Sequence, residues 1–146
     1  MLTNDSFAVP CRSVLLVEPR DEIFARLAGE LEGRGLCVFR ATSAAGASRS
    51  YARRPVDLLL VPPALPDESG WLFLSKLRLT DPAAKVWVYT AHVSPAEVDL
   101  ANFVRADELI DYGGALWRLT EEVLDRLDEP AAVDSSAPWG GPLAVA

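Results

Sequence analysis

Groups able to do chemistry stand where short apolar runs end. They are Glu18-Pro19-Arg20 after Ser13–Val17, Pro62-Pro63 after the run Val56-Asp57-Leu58-Leu59-Leu60-Val61, Thr90-Ala91-His92 after Lys85–Tyr89, and Asp111-Tyr112-Gly113 closing Glu108–Asp111. In an open parallel α/β sheet such strand ends form the ligand-binding edge. Three chemistries are conceivable there. Glu18, Asp21 and Glu22 suggest a metal cluster, but Pro19 interrupts them, and acids are favoured at an exposed helix start in any case. His92 with Thr90 and Asp111 suggests a catalytic set, yet a single His on a loop after a strand reads more simply as solvent-facing. Nucleotide binding is not expected, because no Gly-rich loop follows the first run. Pro62 stands out among these residues. Proline at a strand end brings neither a side-chain oxygen nor a backbone N–H.

The elements that must position these residues alternate regularly. Ser13–Val17 reads as a strand buried on both faces. Asp21–Arg34 reads as a helix, with Ile23, Phe24, Leu27 and Leu31 at helical spacing and Gly33 and Gly35 as a stop. Leu36–Arg40 is a second strand, Ser43–Arg53 an Ala-rich helix, and Val56–Val61 a third strand. Gly70–Leu79 is a helix stopped by Asp81-Pro82. It carries Trp71, Leu72 and Phe73 in succession, more apolar surface than one helix face can bury. Lys85–Tyr89 is a strand by its β-branched and aromatic content. Pro95–Arg105 is a helix with Ser94 as N-cap and Pro95 first. Glu108–Asp111 is a short strand, and Ala115–Leu127 a helix with Leu116, Leu119, Val123 and Leu127 on one face. Five strand–helix repeats predict a doubly wound five-stranded parallel sheet with five helices, covered on both sides.

Bulk properties narrow the function classes. The chain has 146 residues, enough for one domain with a full core, here expected over residues 12–128 behind an extension at 1–11. Residues 129–146 are rich in Pro, Gly and Ala and read as a flexible tail or linker stump, with Trp139 as a tail residue or a small docking anchor. No membrane span or signal peptide is evident, so a cytoplasmic location is expected. Cys11 and Cys37, the only cysteines, are expected as reduced thiols and are too few for a cysteine zinc site. A net charge of −7 argues against nucleic acid or an anionic membrane as partner. The charges are also uneven. Between Gly33 and Val56 stand Arg34, Arg40, Arg49, Arg53 and Arg54 with no acid, whereas between Glu97 and Asp134 eleven acids face Arg105, Arg118 and Arg126.

The order of elements resembles the receiver domain of bacterial response regulators (CheY-like). So do Leu65-Pro66-Asp67-Glu68-Ser69-Gly70 after the third strand, Thr90-Ala91 after the fourth, and Ala106-Asp107 leading into the fifth. The resemblance spans about Arg12 to Asp128 and implies the flavodoxin-like strand order 2-1-3-4-5. It also implies a phosphorylation pocket: two acids holding Mg²⁺ after the first strand, an acceptor aspartate ending the third, a Thr or Ser after the fourth and a Lys after the fifth. Such sites work by positioned charge around a nucleophile. The matching residues here are Glu18, Pro19, Pro62, Thr90 and Tyr112, of which only Glu18 and Thr90 keep suitable groups. The aromatic switch position falls at Leu109.

The resemblance with these changes implies a pseudo-receiver: not an enzyme, without metal or cofactor, and acting as a phosphorylation-independent signalling adaptor through protein contact. Its contact face would be helix 4–strand 5–helix 5, carrying Glu97, Asp99, Asp107, Glu108, Arg118, Glu121, Glu122 and Asp125 around Trp117. The expected partner is a basic protein or a second copy. Two other readings stand beside it: phosphorylation at an unusual acceptor, and a small-molecule sensor built on Tyr112, Thr90 and Pro62. Asp57 lies at the far end of its strand, and Asp67 and Glu68 are expected to point outward. The Tyr112 hydroxyl is expected either to bond Glu18 or Thr90 or to face solvent.

Overall fold

The computed structural model describes residues 12–128, and the expectations for residues 1–11 and for 129–146, Trp139 included, lie outside them. Five strands, β1 (Ser13–Val17), β2 (Cys37–Ala41), β3 (Leu58–Val61), β4 (Val86–Thr90) and β5 (Glu108–Asp111), alternate with five helices. These are α1 (Asp21–Gly33), α2 (Ala44–Arg53), α3 (Gly70–Thr80), α4 (Pro95–Phe103) and α5 (Leu116–Asp128). All pairings are parallel and the sheet order is β2-β1-β3-β4-β5. The expected class and order are those observed.

Alternation along the strands makes two cores. Val14, Leu16, Leu58, Leu60, Trp87, Tyr89 and Ile110 face α1 and α5, meeting Leu27, Leu31, Leu119 and Val123. Leu15, Val17, Leu59, Val61, Val86 and Val88 face the other way, against Ala44 and Ala47 of α2, Phe73 and Leu74 of α3, and Ala101 of α4. Burying each such Leu or Val stabilises the fold by about 1.5–3 kcal/mol, which is why the central strands carry no polar interruption. Trp71 and Phe73 turn inward and Leu72 is left 49% exposed, as three successive apolar residues on one helix require.

Helix starts are set by serine caps. Ser43 accepts from Gly46 N and Ser69 from Leu72 N, while Ser94 forms a capping box with Glu97 ahead of Pro95. α4 ends earlier than its periodicity predicts, because Arg105 adopts a left-handed φ of 56° and the Ala106 N–H turns back to Ala101 O. β3 begins at Leu58 rather than Val56, since Asp57 instead receives the Ser13 N–H on its carboxylate at 2.8 Å. Among the described residues no helix is long and apolar enough to cross a membrane.

One expectation is corrected. Cys37 is disulfide-bonded rather than a free thiol. Parallel pairing sets Cys37 opposite Ser13, with its N–H on Arg12 O, so the start of β2 runs beside the start of the domain. Cys11 lies outside the described residues.

Candidate functional site: the carboxyl edge of the sheet

Glu18 follows β1 directly, and its N–H extends the β1–β2 ladder by donating to Ala41 O at 2.9 Å. That pairing draws the side chain beneath the strand ends, where it is 0% exposed. A carboxylate so placed needs compensation from every side. Arg20, two residues on, supplies most of it. Its N–H and Nε donate to Oε2, each at 2.8 Å, and its Nη2 donates to Oε1 at 3.0 Å. The planar fork matches the two carboxylate oxygens, which a lysine cannot do. Tyr89 from β4 completes the set. Its hydroxyl lies 2.7 Å from Glu18 Oε1 and 3.0 Å from Val17 O, and its single proton favours the charged and nearer acceptor.

Electrostatics follow this geometry. The hydrogen bond to Glu18 holds the Arg20 guanidinium above its ordinary pKa. Burial, followed by the Glu18 charge, pushes the Tyr89 phenol well above its ordinary value, so it stays a donor. Tyr112 turns inward and is buried, its ring centroid 6.4 Å from that of Tyr89 and its hydroxyl close enough to act on Arg20. The solvent-facing alternative is therefore excluded. Arg40 from β2 closes the outer side, with Nε and Nη2 on Glu18 O at 3.1 and 3.0 Å and Nη2 on Asp21 at 2.9 Å.

Pro62 is buried at the end of β3. The loop behind it is tight. Gly70 N donates to Pro63 O at 2.7 Å, and a Cβ on Gly70 would stand 2.2 Å from Pro62 O, so only glycine fits. The loop acids point away from the strand ends, as expected, and are engaged elsewhere. Asp67 accepts the Ala44 and Ala45 N–H groups at the start of α2, each at 2.9 Å, and these bonds hold its carboxyl below the usual range. Glu68 pairs with Lys76 at 2.8 Å. Thr90 is half-buried and its carbonyl accepts Tyr112 N. His92 is exposed, and the Asp111 oxygens are taken by Val93 N and Gly113 N, so Thr90, His92 and Asp111 form no catalytic relay.

No protein-family model and no curated protein matches the chain. Solved structures do. The CheY-like response regulator receiver domain protein from Methanospirillum hungatei JF-1 superposes with a TM-score of 0.70 at 24% identity, over 81% of this chain and 94% of that one. The chain is a receiver fold. The non-phosphorylated HemR receiver domain from Leptospira biflexa agrees, with a TM-score of 0.72 at 23% identity over 87% of this chain and 98% of that one. So does the response regulator TrrA from Thermotoga maritima, solved in complex with Mg²⁺-BeF, with a TM-score of 0.66 at 24% identity over 78% and 97%.

In a receiver fold the cation sits beside the acid after β1. The residues here do not fit one. Both Glu18 oxygens are occupied by Arg20 and Tyr89, and the neighbouring side chains Pro19 and Pro62 offer no oxygen. Among the described residues no three His, Cys, Asp or Glu side chains converge as a metal site. Tyr89 is passed over in the sequence, and Arg20, named at the strand end, is given no role there. The available signal was a guanidinium two residues past a strand-end acid.

The side made by α4, β5 and α5 is built differently. Four of its acids serve the fold: Glu97 in the capping box, Asp107 on Val86 N at 2.7 Å, and Glu108 and Glu122 both on Arg126. Arg118 lies 3.7 Å from Glu122. Asp99, Glu121 and Asp125 have no cationic partner among the described residues. Trp117 is 60% and Phe103 73% exposed, and Leu109 is half-buried against the core on the α3–α4 side.

Proposed function

We propose that this chain is a pseudo-receiver: a domain of two-component type that takes no phosphoryl group, performs no catalysis of its own and acts by protein–protein contact through α4, β5 and α5. The observation that carries this reading is the closed Glu18 site. A receiver reaction needs an acceptor oxygen at the end of β3 and a cation to neutralise the incoming charge. Here Pro62 stands at the acceptor position, and the carboxylate that would hold the cation is already saturated by Arg20 and Tyr89. Substitute acceptors are disfavoured as well. Asp67 caps α2, and Asp57 lies at the opposite end of β3, bound to Ser13. The exposed aromatics and unpaired acids around β5 support a contact role for a basic protein or a second copy, with no part for nucleic acid or membrane.

The test is to incubate the full chain with acetyl phosphate and Mg²⁺ and to record its intact mass. No covalent gain is expected, while a phosphorylatable receiver treated in parallel gains one phosphoryl group. A stoichiometric gain on this chain would sink the reading.

A further inference from the structure

The sheet order puts β2 and β5 at opposite edges, and the two edges carry opposite charge. Flanking β2, Arg49 and Arg53 on α2 and Arg54 just after it have no carboxylate partner among the described residues. Arg54 lies over the Phe39 ring, 4.7 Å from its centroid. Phe39, Ser50, Arg53 and Arg54 line an open recess of about 420 Å³. Flanking β5, Trp117, Glu121 and Asp125 stand four residues apart along exposed α5, which places them in one stripe.

We propose that this chain associates with itself head to tail, the Trp117–Glu121–Asp125 stripe of one copy seated on the arginine edge of the next. The proposal rests on reading the α4–β5–α5 side as the contact face, and names what that face meets. Pitch supports it. Arg49 and Arg53 are separated by the same four residues as Glu121 and Asp125, about 6 Å along a helix in each case, so two guanidiniums and two carboxylates meet in register. Trp117, one turn before Glu121, falls at the end of that row, where the recess offers arginines for cation–π contact.

The alternative pairing of like faces is disfavoured by the same charges. Two α5 stripes brought together would oppose carboxylate to carboxylate, the α5 arginines Arg118 and Arg126 being engaged with Glu122 and Glu108. The head-to-tail contact is heterologous. Each bound copy still presents one free acidic stripe and one free arginine edge, so assembly continues into a ring or an open chain.

Sedimentation velocity of the full chain tests this, at about 0.02 M and about 0.5 M salt, where surface charge is respectively felt and screened. The expected result is an average mass that rises with protein concentration at low salt and returns to monomer at high salt. Two double variants follow: Arg49→Gln with Arg53→Gln, and Glu121→Gln with Asp125→Gln. These are exposed positions, and unchanged circular dichroism and melting confirm that the variants fold. Each variant alone is expected to stay monomeric at low salt. Mixed in equal amounts they are expected to form a dimer that grows no further, because each retains one competent edge. A monomer at every concentration overturns the proposal. So does assembly that survives in either variant, which would mean that the face pairs with itself or with something other than the arginine edge. Neither failure touches the phosphate-independent reading, which the mass measurement decides separately.

Discussion

The β1 and β5 sides of the sheet hold similar polar residues and use them in opposite ways. At the end of β1, every strong acceptor of a fully buried carboxylate is matched by donors from the same chain, two of them on one guanidinium. Around β5, four of the seven face acids brace the fold and the other three are exposed on the side that carries Trp117 and Phe103. The contrast teaches that the buried end of β1 is filled by protein groups that satisfy one another, while exposed aromatics and acids without a cationic partner lie at the β5 edge.

The contrast breaks most visibly at Arg20. Arg20→Ala leaves Glu18 buried with two of its donors gone, and a loss of about 3 kcal/mol is expected after allowing for the half-exposed arginine. Urea unfolding checks this. Trp117→Ala and Glu121→Gln, on the open face, are expected to stay within about 0.5 kcal/mol of the parent. Comparable losses at both places would erase the distinction.

Tyr89→Phe sharpens it further. Removing the hydroxyl deprives the carboxylate of its fourth donor and is expected to cost about 2 kcal/mol near neutrality. The pH dependence has a definite sign. Tyr89 is held protonated in the folded state well above its ordinary value, so its stabilisation is complete below about pH 10 and is lost as pH rises from there, when the unfolded tyrosine ionises first. Unfolding midpoints taken across the alkaline range should therefore fall less steeply in the phenylalanine variant than in the parent. Tyr51, pushed up to about 12 by burial and its bond to Asp81, contributes a residual slope to both.

The smallest effect concerns Asp67, the loop acid nearest to a substitute acceptor. Its carboxyl is lowered by the Ala44 and Ala45 N–H groups, so its stabilisation is present above the unfolded value of about 4 and is lost as pH falls through the lower folded value. Asp67→Asn is expected to flatten the acid limb of thermal stability and to lower the neutral-pH midpoint toward the parent's value at acid pH. An unchanged acid limb would mean that Asp67 is not committed to α2.

Much of this fold is legible from local pattern. Strands declare themselves as apolar runs and helices by spacing, and Ser94-Pro95 marks a helix start that the capping box confirms. Where boundaries slipped, a single contact decided them, as with the left-handed Arg105 that ends α4. Pro19, Pro62 and Tyr112 at the strand ends are equally plain in the sequence. Which groups gather around Glu18 is not. Tyr89 reaches Glu18 across 71 residues of chain and Asp67 reaches Ala44 across 23, and no local rule foretells which phenol or loop acid will be in reach. The inward turn of Tyr112 and the bonded state of Cys37 belong to the same class, set by which strands lie side by side.

Arg20 has one more consequence. A metal ion in such a place is in exchange with its surroundings, and its occupancy follows a dissociation constant. A guanidinium carried two residues along the same backbone has no such equilibrium. Dilution does not remove it, chelators do not strip it, and the ambient magnesium level has no hold on it. The counter-charge that Glu18 needs is thereby carried by the chain itself.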